Sequence, residues 1–354
     1  MGTVFTMRFN KDQAAIVADE STWHLGVFYD YRRTNFADSI LPLINTENED
    51  GTKCAAIYAG LGFPSFHSEV AEISKNKISS LLSSGELSNE NIQKNIFSSF
   101  DSVHKRYVND RMNFHYGFNL NDLNTGKFSS QNESYDLSQT SIKNEARKIS
   151  GYGDKREAMN RIFDNSGFVL NYDSENGIEG LVLSPGYRGI AYSSILNVLG
   201  HGSRVSNKVL NSTIVEKKNL PARRDGFSME EGLFHLMHIS SCTYEMTNKM
   251  GGYFQIYLVD MTKKNKEDRI VEICDHRSRL VHEIMKGHIY EFLSEKKATE
   301  LTHSLLTGER SFEEVEEDMF KSVNNLERFK LRLHDYKIFP ELSADENFEA
   351  GETK

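Results

Sequence analysis

The sequence predicts an α+β domain in which strands and helices are grouped into separate layers. Blocks of strand pattern alternate with pairs of helix pattern, whereas a parallel sheet would alternate single strands with single helices. The chain also opens on a run typical of a β-hairpin. Its 354 residues are 38% hydrophobic, with 22 Phe and 15 Tyr, which is enough apolar material for a large core.

The hairpin is predicted at the N-terminus. An alternating run begins at Thr3, residues 10–13 are polar, and a continuous apolar run ends at Asp19. With the turn at 10–13, Phe9 lies beside Ala14, and Thr3 is level with Asp19 and the residue after it. A slip of one residue would move Asp19 to the other face. Taken alone, Thr3 also fits a β-branched strand residue and Asp19 a polar strand end.

The remaining elements are predicted from hydrophobic periodicity and capping signals. Helices are expected after the strands of the first block, after the glycine cluster at 200–203, after Ser228, and through most of the C-terminal part. The predicted strands are 27–31, 39–43, 54–59, 167–172, 180–184, 189–192, 195–199 and 251–260, and the first two helices are 65–82 and the segment after Ser88.

Four regions are predicted along the chain. The main domain covers 1–265 and contains a polar insertion at about 113–160 that is rich in Asn, Ser and Gln. A charged helical extension follows at 266–342, and an acidic tail at 343–354 is expected to be flexible.

The composition argues against several classes of partner and indicates a cellular location. The net charge of -9 argues against nucleic acid and anionic membrane surfaces. No apolar stretch is long enough for a membrane helix, and charged residues near the start argue against a signal peptide. The three scattered cysteines are typical of reduced thiols in a cytosol, so a cytoplasmic location is expected.

Neither a metal nor a cofactor is predicted. His276, His282 and His288 are spaced by six residues, which does not place them on one helix face. The segment Gly200–Gly202 lacks the strand, glycine and helix context of a nucleotide site.

Several motifs occur in an order that points to one family. They are the hairpin ending at Ala18-Asp19, the strand 55–60 before a helix, the turn 200–203, and Gly251-Gly252 before an Ile-Tyr-Leu-Val strand. Together they resemble the β subunits of the proteasome and their bacterial relatives, the heat-shock-locus peptidase HslV and the Anbu proteins. These are N-terminal nucleophile (Ntn) hydrolases. The resemblance covers about Thr3 to Asp260 without the polar insertion.

The resemblance implies a four-layer αββα sandwich and a threonine-type hydrolase of peptide or other amide bonds. Removal of Met1 and Gly2 would leave Thr3 as nucleophile, with its own α-amine as base. Asp19 falls on the family's strand-end aspartate, and Gly60 on the glycine whose N–H stabilises the oxyanion. Family members assemble into rings, so a homo-oligomer is expected.

Other family positions differ in this chain. The family's lysine falls on Asn35, and a small gap brings Arg33 into its place; arginine can stabilise charge but cannot relay a proton. The serine that touches the threonine amine falls on His201. The aspartate and serine before the double glycine fall on Thr247 and Met250. The candidate catalytic set is therefore Thr3, Asp19, Arg33, Gly60 and His201, with two alternatives: a transpeptidase using the same acyl-enzyme, and an inactive proteasome-like scaffold.

Overall fold

The architecture comes from a computed structural model of the chain. It describes residues 3–19, 22–24, 27–29, 39–47, 51–130, 133–137, 144, 165–185, 187–192, 196–200, 202–210, 212, 226–247, 254–273 and 275–333. The sequence-predicted tail at 343–354 and most of the later part of the polar insertion lie outside these residues.

The first large sheet is built around the N-terminal hairpin. Its five strands follow the order β12-β1-β2-β13-β14 and pair antiparallel throughout. The strands are β1 Thr3–Arg8, β2 Gln13–Asp19, β12 Leu196–Gly200, β13 Phe254–Asp260 and β14 Ile270–Ile273.

The second large sheet also has five antiparallel strands, in the order β11-β10-β9-β6-β5. These strands are β5 Ile40–Glu47, β6 Lys53–Leu61, β9 Ser166–Asp173, β10 Gly177–Ser184 and β11 Tyr187–Tyr192. Two small hairpins complete the described strands: β3 Thr22–His24 with β4 Val27–Tyr29, and β7 Lys127–Ser130 with β8 Glu133–Asp136.

Two of the long helices begin after a capping serine. Ser88 and Ser228 each accept a hydrogen bond from a backbone N–H in the first turn that follows. The helices are α1 Pro64–Ser84, α2 Asn89–Tyr116, α3 Leu120–Thr125, α4 Ser203–Leu210, α5 Met229–Met246, α6 Asp275–Ile289, α7 Glu295–Leu306, α8 Phe312–Ser322 and α9 Leu326–Lys330.

Three buried cores stack these elements into four layers. The central core lies between the sheets and takes its residues from both, for example Val4, Ala18, Ala59 and Leu61. The outer face of the first sheet packs on α5 and the C-terminal helices. The outer face of the second sheet packs on α1 and α2. The predicted four-layer αββα sandwich with two antiparallel sheets is therefore confirmed.

Two outer regions add to this frame. The first part of the polar insertion carries α3 and the β7-β8 hairpin, which form a small core with the end of α2. Helices α6 to α9 share the large outer core of the first sheet with α5. The segment before these helices was predicted to be helical only. It contains strand β14, which pairs with β13.

Strand β5 forms an edge of the second sheet and carries an irregularity. Its pairing with β6 shifts register between Pro42 and Ile44. Proline has no backbone N–H, so an edge strand is where a sheet tolerates it.

Helix α5 packs closely on the first sheet at Gly232. A Cβ added there would lie 2.1 Å from Cδ1 of Phe9, whose ring is buried. We expect Gly232→Ala to lower the free energy of unfolding by about 1–3 kcal/mol, because overpacking outweighs the better helix propensity of alanine. Urea unfolding measures the loss.

The double variant Phe9→Leu/Gly232→Ala is the control for this prediction. A leucine leaves room for the new methyl group, so the two losses should be less than additive. Strictly additive losses would show that the ring does not restrict this position.

Candidate active site

The site is built from Thr3 at the start of β1. Thr3 pairs with Gly200 of β12, and its side chain is completely buried. It shares a strand face with Phe5 and Met7, which belong to the outer core against α5. The threonine side chain therefore faces the helical layer, whereas Val4 faces the other sheet.

Asp19 lies beside the main-chain nitrogen of Thr3. The hairpin pairs Arg8 with Ala14 and Val4 with Ala18, one residue away from the predicted register, and this places Thr3 opposite Asp19. The Thr3 N–H donates to Oδ1 of Asp19 at 2.5 Å, and Asp19 is only 3% exposed. The pattern at the N-terminus thus brings a buried carboxylate to the nitrogen that becomes the α-amine if Gly2 is removed.

The hydroxyl of Thr3 is held by the turn before α4. The backbone N–H of Gly202 donates to Oγ1 of Thr3 at 3.1 Å. A Cβ on Gly202 would lie 2.9 Å from Cγ2 of Thr3 and 2.8 Å from Cγ2 of Thr243. Only glycine allows this approach. An N–H aimed at the oxygen favours a partial negative charge there, as a nucleophile requires.

The hydroxyl groups of Ser206 and Thr243 hold the backbone of Gly202 in place. Ser206 on α4 donates to the carbonyl of Gly202 at 2.8 Å and lies 3.0 Å from Oγ1 of Thr243 on α5. Thr243 in turn donates to the carbonyl of Ile239 at 2.7 Å. The sequence did not identify Gly202, Ser206 and Thr243 as site residues. The glycine-rich turn at 200–203 was the only sequence pattern that pointed to this place.

Gly60 lies in the second sheet, at the same end of the sandwich. The N–H of Ile40, which pairs with Ala59, donates to Oε1 of Gln255 at 3.2 Å, and Gln255 pairs with Ala18. The end of β6 that carries Gly60 therefore lies over the end of β2 that carries Asp19.

The N–H of Gly60 is already used within the sheet. It donates to the carbonyl of Ser39 at 2.8 Å. A substrate oxygen would have to compete for this donor, and the oxyanion role of Gly60 stays a prediction.

A buried histidine closes the end of β6. His67 on α1 occupies the space above Gly60, where a Cβ would lie 2.2 Å from Cγ of the ring. Its Nε2 is 2.8 Å from the carbonyl oxygen of Leu61, and its Nδ1 is 2.6 Å from the hydroxyl of Tyr58. A carbonyl only accepts, so Nε2 carries the hydrogen and Nδ1 accepts from Tyr58. Burial lowers the pKa of His67 to about 4 and raises the pKa of Tyr58, so both are neutral at pH 7.

Two predicted site residues, Arg33 and His201, lie outside the described residues. Within the described part of the chain, no group of His, Cys, Asp and Glu side chains is arranged to hold a metal ion. None of the helices among these residues has the length and apolar character needed to cross a membrane.

The fold and site together define an αββα sandwich with a threonine at the head of its first strand. No protein-family model matches the sequence, and no curated protein matches it. Among solved structures, the chain is similar to Anbu, the ancestral β-subunit, from Yersinia bercovieri. The TM-score is 0.49 at 7% identity, over 82% of this chain and 94% of that chain.

The pKa of His67 gives a pH-dependent stability. In the unfolded chain the ring gains its proton as the pH falls below 6.5, whereas in the folded chain it stays neutral down to about 4. The unfolded state therefore binds more protons in this window, and the free energy of unfolding falls as the pH falls, by roughly 3 kcal/mol in all.

We expect this dependence to appear in the difference between wild type and His67→Gln, in which the contributions of other titrating groups cancel. Urea unfolding between pH 7 and pH 4 should show the advantage of the wild type shrinking with acidification. A difference that does not change with pH would mean that His67 is not held neutral.

Proposed function

We propose that this chain is a threonine-type Ntn hydrolase of peptide or other amide bonds, with Thr3 as the nucleophile after removal of Met1 and Gly2. The observation that carries the proposal is the joint fixing of both reactive atoms of Thr3. Its nitrogen lies 2.5 Å from Oδ1 of Asp19, and its hydroxyl oxygen accepts the N–H of Gly202. Buried polar groups need partners in any role, but a carboxylate at this nitrogen and an N–H donor at this hydroxyl are the two partners that an N-terminal nucleophile needs.

The reaction uses the α-amine as its base. Once the Gly2–Thr3 bond is cut, Oγ1 of Thr3 attacks the substrate carbonyl carbon and its proton passes to the α-amine. The tetrahedral oxyanion collapses, the amide C–N bond breaks, and the amine returns that proton to the leaving nitrogen. Water then attacks the ester, giving its proton to the amine, and the carboxylic acid leaves as Oγ1 is protonated again.

The surrounding residues supply charge and orientation. Asp19 holds the amine in place and favours its protonated form, so the free base needs a compensating positive charge nearby. Arg33 is proposed for that charge. The roles of His201 at the amine and of Gly60 at the oxyanion remain proposals drawn from the family resemblance.

The second candidate function is a non-catalytic, proteasome-like scaffold. It is favoured by the loss of the family's supporting residues at Thr247 and Met250, and by the complete burial of Thr3. A third outcome, transpeptidation, uses the same acyl-enzyme with an amine in place of water as the acceptor.

Intact mass separates the enzyme from the scaffold. We expect the purified wild-type chain to lose Met1 and Gly2, and Thr3→Ala to keep Gly2, because alanine has no hydroxyl to attack the preceding peptide bond. Thr3→Ser should still be cut. Mass spectrometry of the whole chain gives the result directly.

Thr6→Ala is the matched control, since Thr6 is a second buried threonine of the same strand. It should be processed like the wild type. A wild-type chain that keeps Gly2 under all conditions has no free amine on Thr3 and supports the scaffold instead.

We also propose that the chain forms a homo-oligomer through its helical layers. Sedimentation velocity should then give a mass well above the 40.5 kDa of one chain. A monomer mass across the micromolar range would contradict this proposal.

A further inference from the structure

Gly202 connects the strand that carries Thr3 to the helical layer through its own backbone groups. Its N–H donates to Oγ1 of Thr3 at 3.1 Å. Its carbonyl accepts the N–H of Ser206 at 2.9 Å and the hydroxyl of Ser206 at 2.8 Å. All three residues are buried, and within the described part of the chain this N–H is the donor that reaches the threonine oxygen. The direction of one N–H therefore decides how that oxygen is held.

The contact between the hydroxyl groups of Ser206 and Thr243 joins two helices. A serine or threonine in a helix commonly donates to the carbonyl four residues earlier, as Ser206 does to Gly202 and Thr243 does to Ile239. Those two bonds are local and ordinary. In addition, Oγ of Ser206 on α4 lies 3.0 Å from Oγ1 of Thr243 on α5, and either oxygen can donate to the other. This contact ties the first turn of α4 to α5.

The methyl group of Thr243 restricts Gly202 as well. A Cβ added to Gly202 would lie 2.8 Å from Cγ2 of Thr243 and 2.9 Å from Cγ2 of Thr3. The two methyl groups thus close the space beside the glycine, and its backbone has no room to move in this direction.

We infer that Ser206 and Thr243 are positioning residues that aim the N–H of Gly202 at the hydroxyl oxygen of Thr3. This inference rests on the proposed hydrolase function. In that reaction Oγ1 gains negative charge twice, when it attacks the substrate carbonyl and when it leaves the ester. A fixed N–H donor stabilises the charge at both steps without having to reorient. The donor acts on the attacking oxygen and not on the carbonyl oxygen of the substrate.

The kinetic test uses processed chains and fluorogenic peptide amides. Ser206→Ala and Thr243→Val each remove one hydroxyl with little change of volume. In each variant kcat should fall by roughly threefold to tenfold while KM changes little, because attack and departure of Oγ1 are slowed alike. The pH profile of kcat/KM should keep its shape, since neither hydroxyl titrates near neutral pH. An unchanged kcat, or a shifted profile that would place the effect on the α-amine, would overturn the inference.

The double variant shows whether the two residues act through their common contact. Ser206→Ala/Thr243→Val should lose no more activity than the more impaired single variant, because either substitution alone already removes the contact. Losses that simply multiply would mean two separate effects and would contradict the inference.

Ser240→Ala is the matched control. Ser240 is another fully buried serine of α5, and its hydroxyl donates to the carbonyl of Met237 in the same helix at 3.1 Å. Its kcat should match the wild type. An equal loss in Ser240→Ala and Ser206→Ala would reduce the effect to general destabilisation and refute the positioning role.

An NMR measurement that needs no turnover separates failure of the inference from failure of the proposed function. His201-Gly202 is the only His-Gly pair in the sequence. Isotope labels on the carbonyl carbon of histidine and the nitrogen of glycine therefore select one amide signal. Thr3→Ala should move its proton upfield, because the acceptor is lost. Ser206→Ala and Thr243→Val should move it in the same direction.

The two measurements together give distinct outcomes. A Gly202 amide signal that stays in place in Ser206→Ala and Thr243→Val would refute the positioning role, even in an active enzyme. The expected shifts in a chain without turnover would support the positioning of the oxygen and refute only the hydrolase.

Discussion

The register of the β1-β2 hairpin is the constraint on which the site depends. The polar turn reverses the chain so that Val4 meets Ala18, and this alone places the nitrogen of Thr3 against Asp19. Side chains alternate across a strand, so a slip of one residue would turn Asp19 from the helical layer into the core between the sheets. There a carboxylate would be buried among apolar side chains, at a cost of several kcal/mol. The hydrophobic cores on both faces therefore fix the register.

Two glycines allow the helical layer to pack close to the first sheet, at Thr3 and at Phe9. Gly202 lies against Thr3, and Gly232 lies against Phe9, each with no room for a Cβ. The approach at Gly202 brings the start of α4 within hydrogen-bonding distance of the threonine hydroxyl, and the approach at Gly232 seats α5 on the same face of the first sheet. The hydroxyl groups of Ser206 and Thr243 then satisfy one another and the backbone carbonyls nearby, so both side chains are fully buried with hydrogen-bond partners.

Local patterns predicted the parts of this arrangement that are local. Alternation and turn residues were enough to predict the hairpin and to bring Thr3 near Asp19, but they placed Phe9 beside Ala14, where the structure pairs Arg8 with Ala14. Contacts between residues far apart in sequence could not be predicted in this way. Gly202 reaches Thr3 across 199 residues, and Thr243 is contributed by another helix. His67 was hidden for a different reason, because a histidine on an amphipathic helix gives no sign that its ring will fill the space above a glycine of the sheet.

Strand β5 has a consequence for how copies of this chain can meet. An edge strand with a full set of N–H and C=O groups invites a strand from another molecule to extend the sheet. Pro42 removes one donor from β5, and the adjacent shift of register bends the ladder at the same point. A strand from a second molecule could therefore not form a continuous hydrogen-bonded ladder along β5. This edge of the second sheet disfavours aggregation by strand addition at high protein concentration.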